Sequence, residues 1–150
     1  MKILISGGGT AGHINPAIAI GTLLEARGNQ VLYIGSDGAL EEKLYSATGS
    51  QYLQFPSKGL NRKHLFKNLK ILVTDWKAYR GIKKAVQEFA PDAGVSTGGY
   101  ISALAMLALK AQGIPFLLHE QNAFPGLTNK LLSRWAKKKC SSISRSDPLS

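Results

Sequence analysis

The chain has 150 residues, 44% of them hydrophobic, and its 19 Lys and Arg against nine Asp and Glu give a net charge of +10. That length makes one domain with a real core, and that apolar share excludes a disordered chain. A single cysteine, Cys140, excludes an internal disulfide and fits a reducing compartment.

No secretory leader is read at the start: Lys2 precedes an apolar run of three residues, and glycines follow at once. The longest mostly apolar segment, Ile101 to Leu109, is too short to span a membrane. The expectation is a cytoplasmic protein, unless it binds a membrane from outside. The charge is uneven. Nine basic residues lie between Lys58 and Lys84, where Asp75 is the only acid, and six more lie between Lys130 and Arg145 with no acid among them. Such asymmetry points to a polyanionic partner: nucleic acid, anionic lipid or a pyrophosphate.

Ile3, Leu4 and Ile5 read as a strand buried on both faces. Gly7, Gly8, Gly9 and Gly12 follow, and Asn15-Pro16 reads as a helix start with Asn15 as N-cap. Strand, glycine loop and helix in that order make an anion site, because free amides and the helix dipole both favour negative charge. Gly7-x-Gly9-x-x-Gly12 matches the dinucleotide fingerprint only loosely. The helix is expected to open after it, and the second strand ends in Gly35-Ser36, with Asp37 only beyond. A loop carrying Thr10 and His13 suits a sugar phosphate or a hydroxyl acceptor better. The plainer alternative is a tight βα turn without a ligand.

A helix is expected over Ala17 to Arg27, with contacts from Ile18, Leu23 and Leu24 and a stop at Gly28. Then come a strand over Gln30 to Ile34, a short polar helix over Ala39 to Ala47, and a strand over Tyr52 to Phe55 stopped by Pro56. Lys58 to Lys63 is a basic loop. His64 to Ala90 reads as one long helix with two apolar stripes. Leu65, Phe66, Leu69, Leu72, Val73, Trp76 and Tyr79 form one; Ile71, Ala78, Ile82, Ala85 and Phe89 form the other. A helix packed on one sheet needs one stripe. The first is bordered by Lys63, Lys67, Lys70, Lys77 and Arg80, the composition of an interfacial helix. The alternative is that both stripes are core.

A fourth strand, Ala93 to Thr97, runs into Gly98-Gly99-Tyr100, a second strand–glycine–helix junction, and a nearly uncharged helix over Ile101 to Ala111. Pro115 to His119 is a fifth strand with Glu120-Gln121-Asn122 at its end. A helix over Thr128 to Trp135, bearing Asn129, and a possible sixth strand over Cys140 to Ser144 follow. Strands alternating with helices at this spacing mean an α/β fold with a doubly wound parallel sheet, and its ligands bind outside the carboxyl ends of the strands. Thr10 with His13, Gly99 with Tyr100, and His119 to Asn122 all fall there.

Gly8-Gly9-Thr10-Ala11-Gly12-His13, Gly98-Gly99-Tyr100, His119-Glu120-Gln121-Asn122 and Gly126-Leu127-Thr128-Asn129-Lys130, in that order, resemble the amino-terminal domain of the bacterial peptidoglycan glycosyltransferases of the MurG family. The resemblance runs from Met1 to about Lys139. It implies a Rossmann-like domain, the amino-terminal half of a GT-B fold, for residues 1–150, with the carboxyl-terminal donor domain outside the chain. It implies inverting transfer of N-acetylglucosamine from UDP-N-acetylglucosamine to an undecaprenyl-pyrophosphoryl-linked N-acetylmuramoyl-pentapeptide, at the cytoplasmic face of the membrane, with no cofactor or active-site metal.

By position, the resemblance sets Thr10, Ala11, Gly12 and Asn122 by the donor. It makes His13 the general base, with Glu120 the second catalytic candidate. Gly8, Gly9, Gly99, Tyr100, His119 and Asn129 fall on the acceptor side, with the glycine-loop amides on its pyrophosphate. Leu65, Phe66, Leu69, Leu72, Trp76, Lys67 and Lys70 fall where the family meets an anionic membrane surface. Ala11 replaces a glycine of many members, and residues 141–150 fit the family pattern poorly. Blander roles also exist: His119 as a structural histidine, Glu120 as a partner of nearby amides, Tyr100 as packing, His64 as a solvated residue. The alternatives at the level of function are the membrane-docking acceptor half of a two-chain transferase and a nucleotide-binding oxidoreductase. A nucleic-acid partner is not expected, since the basic segments carry no recognition motif.

Overall fold

The computed structural model describes residues 1–57, 65–121 and 127–141. Strand β1 (Lys2–Gly7), helix α1 (Ala11–Ala26), β2 (Gln30–Ser36), α2 (Ala39–Ser46) and β3 (Gln51–Phe55) make the first half. Helix α3 (Leu65–Phe89), β4 (Ala93–Gly98), α4 (Tyr100–Ala111), β5 (Phe116–Glu120), α5 (Leu127–Leu132) and β6 (Lys138–Ser141) make the second. The strands form one sheet in the order β3-β2-β1-β4-β5-β6, and every neighbouring pair is parallel. The chain steps outward from β1 to β3, then returns to the other side of β1 and steps outward again. The doubly wound α/β fold expected from the sequence is what forms. The reversal falls between β1 and β4, and open α/β sheets bind ligands in the crevice at such a switch point.

Each inner strand serves two cores, because side chains alternate across a strand. Ile3 and Ile5 of β1, with Val31 and Tyr33 of β2, pack under α1 against Ile14, Ala17 and Tyr45. Leu4, Leu32 and Ile34 pack on the opposite face against Ile82, Val86, Ile101, Ala105 and Met106 of α3 and α4. Leu4 and Ile5 are wholly buried, and truncating either to Ala would cost about 2–5 kcal/mol.

Helix α1 departs from the expected start. It opens at Ala11, where the extended Thr10 (φ −149°, ψ 154°) accepts from the Ile14 amide at 3.1 Å. Pro16 therefore lies inside the helix and cannot supply the bond that the Gly12 carbonyl would otherwise receive. Tertiary contact outweighs this local signal: Ile14 is fully buried on the sheet, and Thr97 on β4 ties down the His13 carbonyl at 2.6 Å. The buried face is Ile14, Ala17 and Gly21, so Leu23, expected as a contact, stands 62% exposed.

Among the described side chains of α3, from Leu72 on, the two stripes separate as surface and core. Ala78, Ile82, Ala85 and Val86 are buried, while Leu72, Val73 and Trp76 are exposed. Tyr79, read with the first stripe, packs partly on the core and stacks on Trp76 at 5.9 Å between ring centroids. The side chains of Leu65, Phe66, Lys67, Leu69 and Lys70, and the loop from Lys58 to His64, lie outside the described residues. Strand β6 begins two residues earlier than expected, in register with β5 from Leu117↔Lys138 to Glu120↔Ser141; Ser142 to Ser144 lie outside the described residues. No helix among the described residues is long and apolar enough to cross a membrane.

Candidate functional site

The glycine loop after β1 and the Gly98-Gly99 joint after β4 meet at the switch point. Gly99 has φ 91°, and a Cβ there would run into the Gly8 carbonyl, so only glycine closes the two junctions on each other. The Ser102 hydroxyl, at 2.8 Å from the Ser6 carbonyl and 2.7 Å from the Gly98 carbonyl, pins the end of β4 to β1.

His13, in the first turn of α1, is held twice by Thr97. The Thr97 hydroxyl donates to the His13 carbonyl, and the Thr97 carbonyl lies 3.1 Å from the ring Nδ1. The side-chain amide of Gln121, just past β5, lies 2.6 Å from the same Nδ1. The candidate base is thus gripped by residues from β4 and from the end of β5, a convergence that sequence distance hides. Gln121 stood inside the motif but drew no role from the sequence; Thr97 drew none either.

The loop amides are not all free for an anion. Gly9 N–H donates to Glu41 Oε1 at 2.8 Å, and Gly8 N–H to the Gly98 carbonyl at 3.3 Å. Tyr45 Oη donates to the Gly7 carbonyl. The Gly8 and Gly9 amides, which the resemblance set on the acceptor pyrophosphate, are thus both engaged within the fold. The first turn of α1, at Thr10, Ala11 and Gly12, is exposed, and the amides of a helix amino terminus suit an anion. Ala11 fits there: Ala90 is the only non-glycine residue with positive φ among those described, so its methyl meets no backbone penalty. Glu41, buried in the first turn of α2, had no signal in the sequence beyond following a strand that borders β1.

Glu120 and Asn129 also come together. The Asn129 amide nitrogen donates to Glu120 Oε2 at 2.9 Å and lies 3.4 Å from the His119 carbonyl. Asn129 is buried, and His119 and Glu120 are half-buried at the end of β5. Asn122 lies outside the described residues.

Tyr100 does not join this group. It lines a groove of about 510 Å³ between α3 and α4, with Leu72, Asp75, Trp76, Leu104 and Lys110. Asp75, noted in the sequence only as a lone acid, is 5% exposed there, and neither carboxylate oxygen has a hydrogen bond of good geometry. Burial raises its pKa above the usual value, with neighbouring Tyr100 partly offsetting the shift. Burial, then the charge of Asp75, pushes the Tyr100 phenol up to about 12. A raised folded pKa means that ionisation costs the native state. Stability from this group is therefore complete below the ordinary value of 3.8 and lost as pH rises through the folded pKa. Asp75→Asn is expected to stabilise the fold at neutral pH, and the gain should vanish as pH falls below the ordinary carboxylate value of 3.8. Melting curves of both proteins across that range check it; destabilisation at neutral pH would contradict it.

The pattern of the glycosyltransferase family 28 N-terminal domain matches residues 3–141. A Moorella thermoacetica protein named UDP-N-acetylglucosamine–N-acetylmuramyl-(pentapeptide) pyrophosphoryl-undecaprenol N-acetylglucosamine transferase is 45% identical over 145 residues, 93% of this chain and 38% of its own length. A Desulforamulus reducens protein of the same name is 43% identical over 141 residues, 91% of this chain and 37% of its own. The crystal structure of Acinetobacter baumannii MurG superposes with a TM-score of 0.85 at 30% identity, over 99% of this chain and 43% of that one. The chain thus spans about two fifths of the length of these relatives. With the sheet order, the paired glycine junctions and a family pattern reaching from Ile3 to Ser141, the chain belongs to the glycosyltransferase family 28 N-terminal domains.

Proposed function

We propose that the chain is the acceptor-side domain of an enzyme that transfers N-acetylglucosamine from UDP-N-acetylglucosamine to an undecaprenyl-pyrophosphoryl-linked N-acetylmuramoyl-pentapeptide. The observation that carries this reading is His13 fixed at the switch point, beside the exposed amino-terminal turn of α1. That turn supplies partial positive charge for a pyrophosphate. His13 takes the proton of the acceptor hydroxyl as that oxygen attacks the anomeric carbon of the donor sugar and UDP leaves. Glu120, held by Asn129, fixes the edge of the acceptor pocket. A two-domain enzyme with this chain as its amino-terminal half, given UDP-[14C]N-acetylglucosamine and the lipid-linked acceptor, should form labelled disaccharide lipid. Label released only as free sugar would overturn the reading.

The same reading puts the exposed face of α3 on the membrane. Leu72, Val73 and Trp76 are 52%, 51% and 60% exposed, and Lys77 and Arg80 are exposed beside them. The segment from Lys58 to Lys84 carries nine basic residues and one acid. Each Lys or Arg at an anionic surface contributes up to about 1 kcal/mol, and full burial of a large apolar side chain about 1.5 kcal/mol or more. The chain is expected to sediment with anionic vesicles and release at high salt. Trp76→Ala should weaken sedimentation with little change in salt dependence, and Lys67→Glu with Lys70→Glu should weaken it and flatten that dependence. Sedimentation unchanged in these variants would return the face to ordinary solvated surface.

A further inference from the structure

Two groups face Nδ1 of His13, and together they decide which ring nitrogen carries the proton. The Thr97 carbonyl, at 3.1 Å, only accepts. If Nδ1 were bare, its lone pair would point at that oxygen. The Gln121 amide, at 2.6 Å, either donates or accepts, because a half-turn exchanges its nitrogen and oxygen. With its nitrogen toward the ring, the amide donates to a bare Nδ1, whose lone pair then also faces the Thr97 carbonyl. With Oε1 toward the ring, an Nδ1–H sits between two acceptors and both polar contacts are favourable. The fixed carbonyl breaks the tie.

We propose that Gln121 is a positioning residue that, with the Thr97 carbonyl, sets the tautomer of His13: the pair holds the proton on Nδ1 and leaves Nε2 as the ring's proton acceptor. The inference rests on the reading of His13 as base for its consequence, but its geometry stands apart from that reading. It also gives a reason for glutamine at this place: an amide that supplies an acceptor without adding a negative charge beside the incoming pyrophosphate.

The test is the tautomer itself, read from long-range 1H–15N spectra of the 15N-histidine-labelled chain at a pH where the ring is neutral. Wild type should show a protonated Nδ1 and a bare Nε2 for His13. Gln121→Glu, an acceptor only, should keep that form. Gln121→Met, of similar length with no strong acceptor, should shift the tautomer ratio by about three- to tenfold toward Nε2–H, the worth of one hydrogen bond. Backbone amide spectra confirm that each variant is folded. A wild-type ring protonated on Nε2, a Met variant with an unchanged ratio, or a Glu variant that behaves like Met would overturn the proposal. The transfer assay of His13 variants is independent of these spectra, so loss of the base role and loss of the tautomer hold are told apart.

Discussion

His13→Ala, made in a two-domain enzyme that carries this chain as its amino-terminal half, is expected to lower turnover by about 100- to 10,000-fold, the usual contribution of one general base. The KM for the sugar nucleotide should change little. The ring's partners here are the Thr97 carbonyl and the Gln121 amide, on the acceptor-side domain itself. An interaction made only in the transition state appears in kcat and in kcat/KM equally. The measurement is steady-state transfer of label, with donor and acceptor varied separately. A fall in turnover below about tenfold would remove His13 as the base. Glu120 would then be the better candidate, its Oε2 accepting from Asn129.

The second large effect is structural. Gly99 has φ 91° and ψ 159° and stands against the backbone of Gly8. An alanine there pays for a backbone region that only glycine enters freely, about 1–3 kcal/mol. Its methyl must also displace Gly8, about 1–3 kcal/mol more. Together that is about 2–6 kcal/mol out of a typical total of about 5–15 kcal/mol. For a domain of this size the Tm should fall by roughly 4–24 °C. Gly113→Ala is the internal comparison: φ is 71°, and a methyl there meets nothing within 4 Å. It should cost only the backbone term, about 1–2 kcal/mol. Urea unfolding of both variants decides the point. Equal losses would mean that the two glycine junctions do not close on each other.

The sequence conveyed whatever depended on periodicity. The Ile3-Leu4-Ile5 run, the strand–helix alternation and the two stripes of α3 all reflect side-chain repeats, and β1 and the core face of α3 form as read. Local signals failed where tertiary contact opposed them. Asn15-Pro16 looked like a helix start, but burial of Ile14 and the Thr97 bond to His13 carry α1 back to Ala11. The site was legible as three clusters at strand ends and illegible in its pairings. Gln121 on Nδ1 of His13 and Glu41 on the Gly9 amide are 108 and 32 residues apart in sequence. Such contacts depend on strand register, which spacing along the chain does not encode. Tyr100 shows the same limit in reverse: its place after Gly99 set it by the crevice, while its side chain lies in the α3–α4 groove beside Asp75.

An acceptor-side domain should bind the acceptor and contribute little to holding the donor. The most direct measurement adds each ligand separately to the 15N-labelled 150-residue chain: a short-chain prenyl-pyrophosphoryl N-acetylmuramoyl-pentapeptide, and UDP-N-acetylglucosamine. The acceptor analogue is expected to shift the amide signals of Thr10, Ala11, Gly12 and His13 in a saturable way, its pyrophosphate taking the turn that family position set by the donor, while millimolar donor shifts them weakly or not at all. Saturable binding of the donor at those amides, with none of the acceptor analogue, would contradict that expectation.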